Sequence, residues 1–268
     1  MRSFAVKCGN FRLTLAAVFA WAALLPAAAR AADWKFSSSV NFDTGKYGTS
    51  ERTNSVYVPF TLKRYYENSD LSVTVPYLRQ SAMGQVTWVG GSPVRLFPRF
   101  RTAVTARQAG LGDIMLRGTR TLLREEPDAF DLALAGKVKL PTADEAKGLG
   151  TGRLDAGAGL EYAKLVSPGW TFLADGYYTF IGEPEGADFN DQLSVDMGFY
   201  RQLREGLALT VLLEGQNAIV DGNDGPRSLS GTLSYRASDG VQFFGGLTLG
   251  LSDGSPAFGV SLGFSGRF

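Results

Sequence analysis

Across residues 81–109 the chain carries Arg95, Arg99, Arg101 and Arg107 and no Asp or Glu. Trp88, Phe97 and Phe100 are interleaved with them, and Pro93 and Pro98 stiffen the segment. Guanidinium forks grip carboxylates and phosphates at two points and stack on flat rings. Such a segment can select anionic or aromatic solutes. The same arginines could instead bind lipid phosphates or pair with acids elsewhere in the chain. In a third reading, residues 85–89 and 100–107 extend neighbouring strands or add a hairpin.

A second set of charges falls on alternating positions. It comprises Arg79, Asp113, Arg117, Lys137, Lys139, Asp155, Glu161, Asp175, Asp196 and Glu214. Both signs occur on adjacent runs. They can form a lining that orients a polar solute, or a pairing network that stiffens the wall.

Other chemistries lose their residues. The chain has 0 His, so a Ser–His nucleophile is impossible. Cys8 is its 1 cysteine and precedes an apolar run, which leaves no disulfide or thiolate ligand beyond it. The Gly-rich stretch 148–152 lacks the helix and Lys of a phosphate loop. The stretch 221–225 lacks the distal Glu of a calcium loop. Glu183, Glu185, Asp188 and Asp191 read as a solvated acidic loop. No catalytic residue, metal or cofactor is assigned.

These residues must be held by some framework, and the alternation names it. Residues 1–31 have the layout of a secretory leader, with basic residues, an apolar run over 13–25 and a small-residue end at Ala31. Removing its four cations (Arg2, Lys7, Arg12, Arg30) from 27 leaves 23 Lys and Arg against 26 Asp and Glu, no basis for binding nucleic acid. Residues 32–268 then form one domain. They divide into runs of about ten residues with period-2 alternation. Leu193, Val195, Met197 and Phe199, for example, alternate with Ser194 and Asp196. Tight turns alternate with long polar links. This predicts an all-β, antiparallel up-and-down transmembrane barrel of 12 strands, or 14 if the Arg-rich segment adds a hairpin. Aromatics gather at the run ends, as interfacial girdles require: Trp34, Tyr65, Tyr66, Trp170, Phe199, Tyr235 and Phe268 at one end, Phe42, Tyr178 and Phe180 at the other. A soluble barrel with its apolar side inward is the competing arrangement.

Three stretches carry a resemblance: Gly110-Leu111-Gly112-Asp113-Ile114-Met115-Leu116, Lys137-Val138-Lys139-Leu140-Pro141-Thr142, and Gly150-Thr151-Gly152 with Asp155. They resemble the outer-membrane transporter family named after the meta-pathway of phenol degradation. Ala143 stands where that family usually has Gly. Asp113 and Asp155 are expected to pair with Lys137 or Lys139, which makes the motif partly structural. Val260, Leu262, Phe264 and the terminal Phe268 resemble the C-terminal signal that the barrel-assembly machinery reads.

The expected location is therefore the bacterial outer membrane, with its lipid and lipopolysaccharide as partners. The expected function is passive passage of small solutes, hydrophobic or aromatic acids among them. A plugged structural or biogenesis barrel is the alternative, and a lipid-acting enzyme has no supporting residue spacing.

Overall fold

The computed structural model describes residues 34–81, 86–89, 92–95, 107–124 and 130–268. The leader assigned to 1–31 lies outside them, as do Phe97, Arg99, Phe100 and Arg101. Among the described residues there are fifteen strands: β1 (Trp34–Gly45), β2 (Thr53–Tyr65), β3 (Ser69–Ser81), β4 (Val86–Val89), β5 (Ser92–Arg95), β6 (Gln108–Leu111), β7 (Ile114–Leu123), β8 (Asp131–Leu140), β9 (Asp155–Ser167), β10 (Trp170–Phe180), β11 (Gln192–Arg204), β12 (Leu207–Gln216), β13 (Arg227–Arg236), β14 (Val241–Gly250) and β15 (Phe258–Arg267).

Each wall strand pairs antiparallel with its sequence neighbour, and β1 pairs with both β2 and β15, so the sheet closes. β6 and β7 both pair with β3 and form one wall strand interrupted by a bulge. The barrel therefore has twelve strands. The fourteen-strand alternative is corrected here: among the described residues β4 and β5 pair only with each other, in a separate two-stranded sheet.

Closure follows from the solvent. Lipid offers no partner to a backbone N–H or C=O, so every ladder must be completed within the chain. The last rung joins the ends: Phe268 N–H donates to Trp34 O at 3.0 Å, and Trp34 N–H to Phe268 O at 3.3 Å. Alternation points the apolar residues outward. Along β11, Leu193, Val195, Met197 and Phe199 are 41–54% exposed, whereas Gln192 on the opposite face is 2% exposed. Leu62, Leu71, Leu116, Leu213, Leu233 and Leu247 are likewise exposed on their strands. This disposes of the soluble barrel, which would bury them. Of the C-terminal set, Leu262 and Phe268 are exposed, but Phe264 is buried beside Phe36, its ring centre 6.1 Å away.

The buried apolar clusters lie at the outer mouth, and each contains a residue of the β4–β5 hairpin. Val89 and Val94 pack with Ile181, Phe189, Ile219 and Val220. Val86 packs with Tyr47, and Trp88 with Leu78 and Leu149. The hairpin lies across the opening as a lid.

Two wall irregularities shape that end. Pro59 and Pro76 face each other across β2 and β3, and neither has an N–H to give. Asn41 Nδ2 donates instead to Tyr57 O at 2.9 Å, which holds β2 to β1 beside the missing rungs. At the β6–β7 bulge, Gly112 N–H bonds Pro76 O at 2.9 Å. A Cβ at Gly112 would lie 2.7 Å from Leu78 Cδ1 and 3.0 Å from Pro76 Cγ. Leu78 is 2% exposed and cannot withdraw. Gly112→Ala is expected to cost about 1–3 kcal/mol, read as a lower denaturant midpoint of the refolded barrel. An unchanged midpoint would show that the bulge has slack.

Candidate solute path through the barrel

The lid is fixed at its edges by polar contacts. Trp88 Nε1–H donates to Gln80 Oε1 at 3.1 Å, and its ring stacks on Tyr57 at 5.5 Å and 19°. Thr87 Oγ1 donates to Gly148 O at 2.8 Å, and Gln80 Nε2 donates to the same carbonyl at 3.1 Å. Arg95 Nη1 donates to Gly48 O at 2.7 Å, and Asn223 Nδ2 donates to Arg95 O at 3.0 Å. Tyr47, in the loop after β1, is buried under the hairpin, and that burial and then Asp43 push its phenol above the ordinary range. It therefore stays neutral.

Beneath the lid is a cavity of about 500 Å³. Tyr57, Trp88 and Pro93 form its aromatic and apolar side, and Asp43, Asp196 and Glu214 its acidic side, with Lys137 the cation among the described lining residues. Glu214 accepts from Ser228 Oγ at 2.8 Å and Ser230 Oγ at 3.0 Å. A smaller space of about 200 Å³ runs beside Pro93–Arg95 toward Asn223, Asp224 and Asp253. It shares Tyr47, Pro93, Gln216, Pro226 and Gly254 with the cavity, so the two lie side by side at the edge of the lid. Nearer the short turns lies a further cavity of about 480 Å³, lined by Thr121, Arg124, Asp131, Glu161 and Asp175.

A waist of charges joins the halves. Arg117 bonds Glu161 and, at 3.0 Å, Tyr177 Oη, and Tyr177 also contacts Glu161. The Lys137 ammonium sits 5.3 Å from the centre of the Tyr177 ring. Glu161, Asp175, Asp196 and Glu214 are successive cross-strand partners on β9 to β12 and make an acidic diagonal facing these cations.

The motif residues converge outside the open cavity. Lys139 Nζ lies 2.8 Å from Asp155 Oδ2 and 3.3 Å from Asp113 Oδ2. Lys139, and not Lys137, is the partner of both acids. Gly150 packs against them: a Cβ there would meet Asp113 Oδ2 at 2.7 Å and Ala143 Cβ at 2.8 Å. Thr142 Oγ1 accepts from Ile114 N–H at 2.9 Å and donates to Gly112 O at 3.2 Å. A methyl at 143 is accommodated, its N–H bonding Asp113 Oδ1 at 2.9 Å.

The charged set thus divides. Arg117, Glu161, Lys139, Asp113 and Asp155 are paired. Lys137, Asp196 and Glu214 line the upper cavity, and Asp175 the lower one. Arg79 is a correction: it is exposed on the face of β3 that carries Leu71, Val73 and Tyr77, so it points away from the lumen. The run of outward residues ends at the rim, where polar headgroups replace lipid tails and a cation is no longer costly. Within the Arg-rich segment, Trp88 is 8% exposed at the centre of the lid, Arg95 sits at its edge, and Arg107 is exposed ahead of β6.

Sequence reasoning passed over Tyr57, Gln80, Tyr177 and the apolar residues that receive the lid. A signal existed for the last group. Ile181, Phe189, Ile219 and Val220 stand in or beside otherwise polar connections, where a loop in water has no use for them.

Comparison with known proteins agrees with this architecture. The family described as "MetA-pathway of phenol degradation" matches residues 44–268. The chain belongs to this family. An outer membrane channel from Pseudomonas putida F1 superposes with a TM-score of 0.70, over 91% of this chain and 100% of that one, at 13% identity. The NanC porin gives 0.54 over 87% and 100% at 7% identity. The KdgM porin gives 0.53 over 87% and 99% at 6% identity. At these identities the likeness is one of fold, that of outer-membrane channels and porins. No curated protein matches the chain. In this family member most of the recognised motif builds the rim, and of its residues Lys137 lines the cavity.

Proposed function

We propose that this protein is an outer-membrane channel for the passive passage of small solutes, with its outer mouth covered by the β4–β5 lid. The observation that carries the reading is the pair of adjacent spaces at the lid edge, inside a barrel whose apolar residues face outward. The barrel fold shared with outer-membrane channels and porins supports the location and the channel role. The stacked Tyr57–Trp88 pair supports an aromatic solute. Three carboxylates against one ammonium on the described cavity wall favour a neutral or cationic one over an aromatic acid.

The test is single-channel recording of the refolded protein in planar bilayers, with liposome uptake of an uncharged aromatic and of its carboxylate analogue. Cation-leaning current and faster uptake of the uncharged compound are expected. Absence of both current and uptake would overturn the channel. The alternative, a plugged structural barrel, is favoured by the same lid, and removal of the lid separates the two.

Arg79 and Arg107 are the residues that would meet outer-leaflet phosphates. β3 and β6 are paired, with Arg79 opposite Ala109. Replacing both arginines with Gln should reduce lipopolysaccharide retained through purification several-fold, measured by phosphate content per barrel. Unchanged retention would remove this assignment.

A further inference from the structure

We infer that the Asp113–Lys139–Asp155 cluster is the seat of the outer lid, and that these motif residues position the gate of the channel proposed above. The inference rests on that channel reading, but part of its test does not.

The cluster is buried. Lys139 is 4% exposed, Asp155 3% and Asp113 8% at the side chain. Its remaining atoms are committed to the outer connections. Asp113 Oδ1 holds Ala143 N–H at 2.9 Å. Asp155 Oδ1 holds Gly182 N–H at 3.0 Å. Lys139 Nζ donates to Thr151 Oγ1 at 3.3 Å. One ammonium and two carboxylates therefore tie the connection over 141–154 at both of its ends, and the start of the connection after β10.

These two connections receive the lid. The first supplies Gly148 O, which accepts from Thr87 and from Gln80, and Leu149, which packs with Trp88. The second supplies Ile181 and Phe189, which pack with Val89 and Val94. Both faces of the hairpin thus rest on segments that one cluster holds in place.

Energetics point the same way. A buried ion group gains little over apolar packing, because desolvation offsets the Coulomb attraction. What it supplies is geometry: each oxygen and each N–H has one partner position. That property suits a seat better than a wall, because the wall already has its ladder.

The test compares the native protein with Asp113→Asn/Lys139→Met/Asp155→Asn. This variant keeps the shapes and the Oδ1 acceptors and removes every charge. Each is studied with and without residues 86–95. Two signals are read: single-channel conductance, and Trp88 emission in a Trp34→Phe/Trp170→Phe background. The neutral variant is expected to conduct nearly as well as the lidless barrel, with Trp88 emission shifted to the red. Without the lid, the neutral variant should add nothing further. A support of the wall would instead change conductance with the lid absent as well, and that result overturns the inference. Unchanged conductance with unshifted Trp88 overturns it too. Silence from every barrel would sink the channel reading, yet the Trp88 shift would still decide whether the cluster seats the lid. Should the neutral variant fail to refold, Gln80→Leu/Thr87→Val removes both donors to Gly148 O, one on the wall and one on the lid, and should raise conductance in the same way; no rise there overturns the inference.

Discussion

Deletion of residues 86–95 is expected to raise single-channel conductance several-fold while leaving the barrel folded. The hairpin takes part in none of the twelve wall ladders, so its removal breaks no wall rung. It does occupy the outer opening, where its residues meet Tyr47, Leu78, Leu149, Ile181 and Val220. A barrel of eight strands is filled by its own side chains, and one of sixteen to eighteen encloses a wide channel. Twelve strands leave a lumen that a hairpin of two four-residue strands can cover. The lid's hydrogen bonds are worth about 1 kcal/mol each in net terms, and its buried Trp88 and valines add more. In the native protein it should therefore close for most of the time and open briefly. The record of the native protein should show short openings, and that of the deleted form a steady larger current. Equal conductance in the two would show that the limiting constriction lies lower, at Arg117, Tyr177 and Glu161.

The second large effect concerns charge selection. Asp196→Asn/Glu214→Gln should abolish the preference for cations and leave a passage with little charge selection. Both acids line the upper cavity, with Asp43 beside them and Lys137 on the same wall. Removing two carboxylates leaves one of each sign. A low-dielectric wall concentrates the field of such charges across a narrow passage. The Debye length is about 8 Å at physiological salt and about 3 Å at 1 M, so the difference between native and variant should shrink as salt rises. The measurement is the reversal potential across a KCl gradient. A reversal potential that does not move would mean that ions bypass this cavity. Asp113 and Asp155 are the contrasting pair, since both are ion-paired with Lys139 outside the lumen.

Arg79 shows how local the sequence signal is. The alternation Leu71, Val73, Val75, Tyr77 continues to Arg79 without a break, and parity alone places it outside. Charge was allowed to overrule parity, and the structure follows parity. The rim of a barrel carries outward charges because the lipid there is polar. The β6–β7 strand shows the opposite case. Its inward positions change parity at Gly112 and Asp113, and only the bulge against β3 explains why Leu111 and Leu116 both face out.

The wall of this protein was determined by the sequence alone. Each strand has lipid on one side and the lumen on the other, so each run of about ten residues carries its own alternating record of the fold. Twelve such records and short turns at one end leave a closed barrel as the arrangement that pairs every backbone group in lipid. The pairing of the motif acids with a lysine of β8 was also within reach, because β7, β8 and β9 are neighbours in sequence and in space. The lid was not. Residues 86–95 read equally well as a loop, a strand extension or an added hairpin, because their partners lie far away along the chain. Thr87 meets Gly148 across 61 positions, and Asn223 meets Arg95 across 128. Only closure of the barrel brings the connections over 46–52, 141–154, 181–191 and 217–226 to one mouth. Whether that mouth stands open is decided by packing among them, which no single stretch of sequence records.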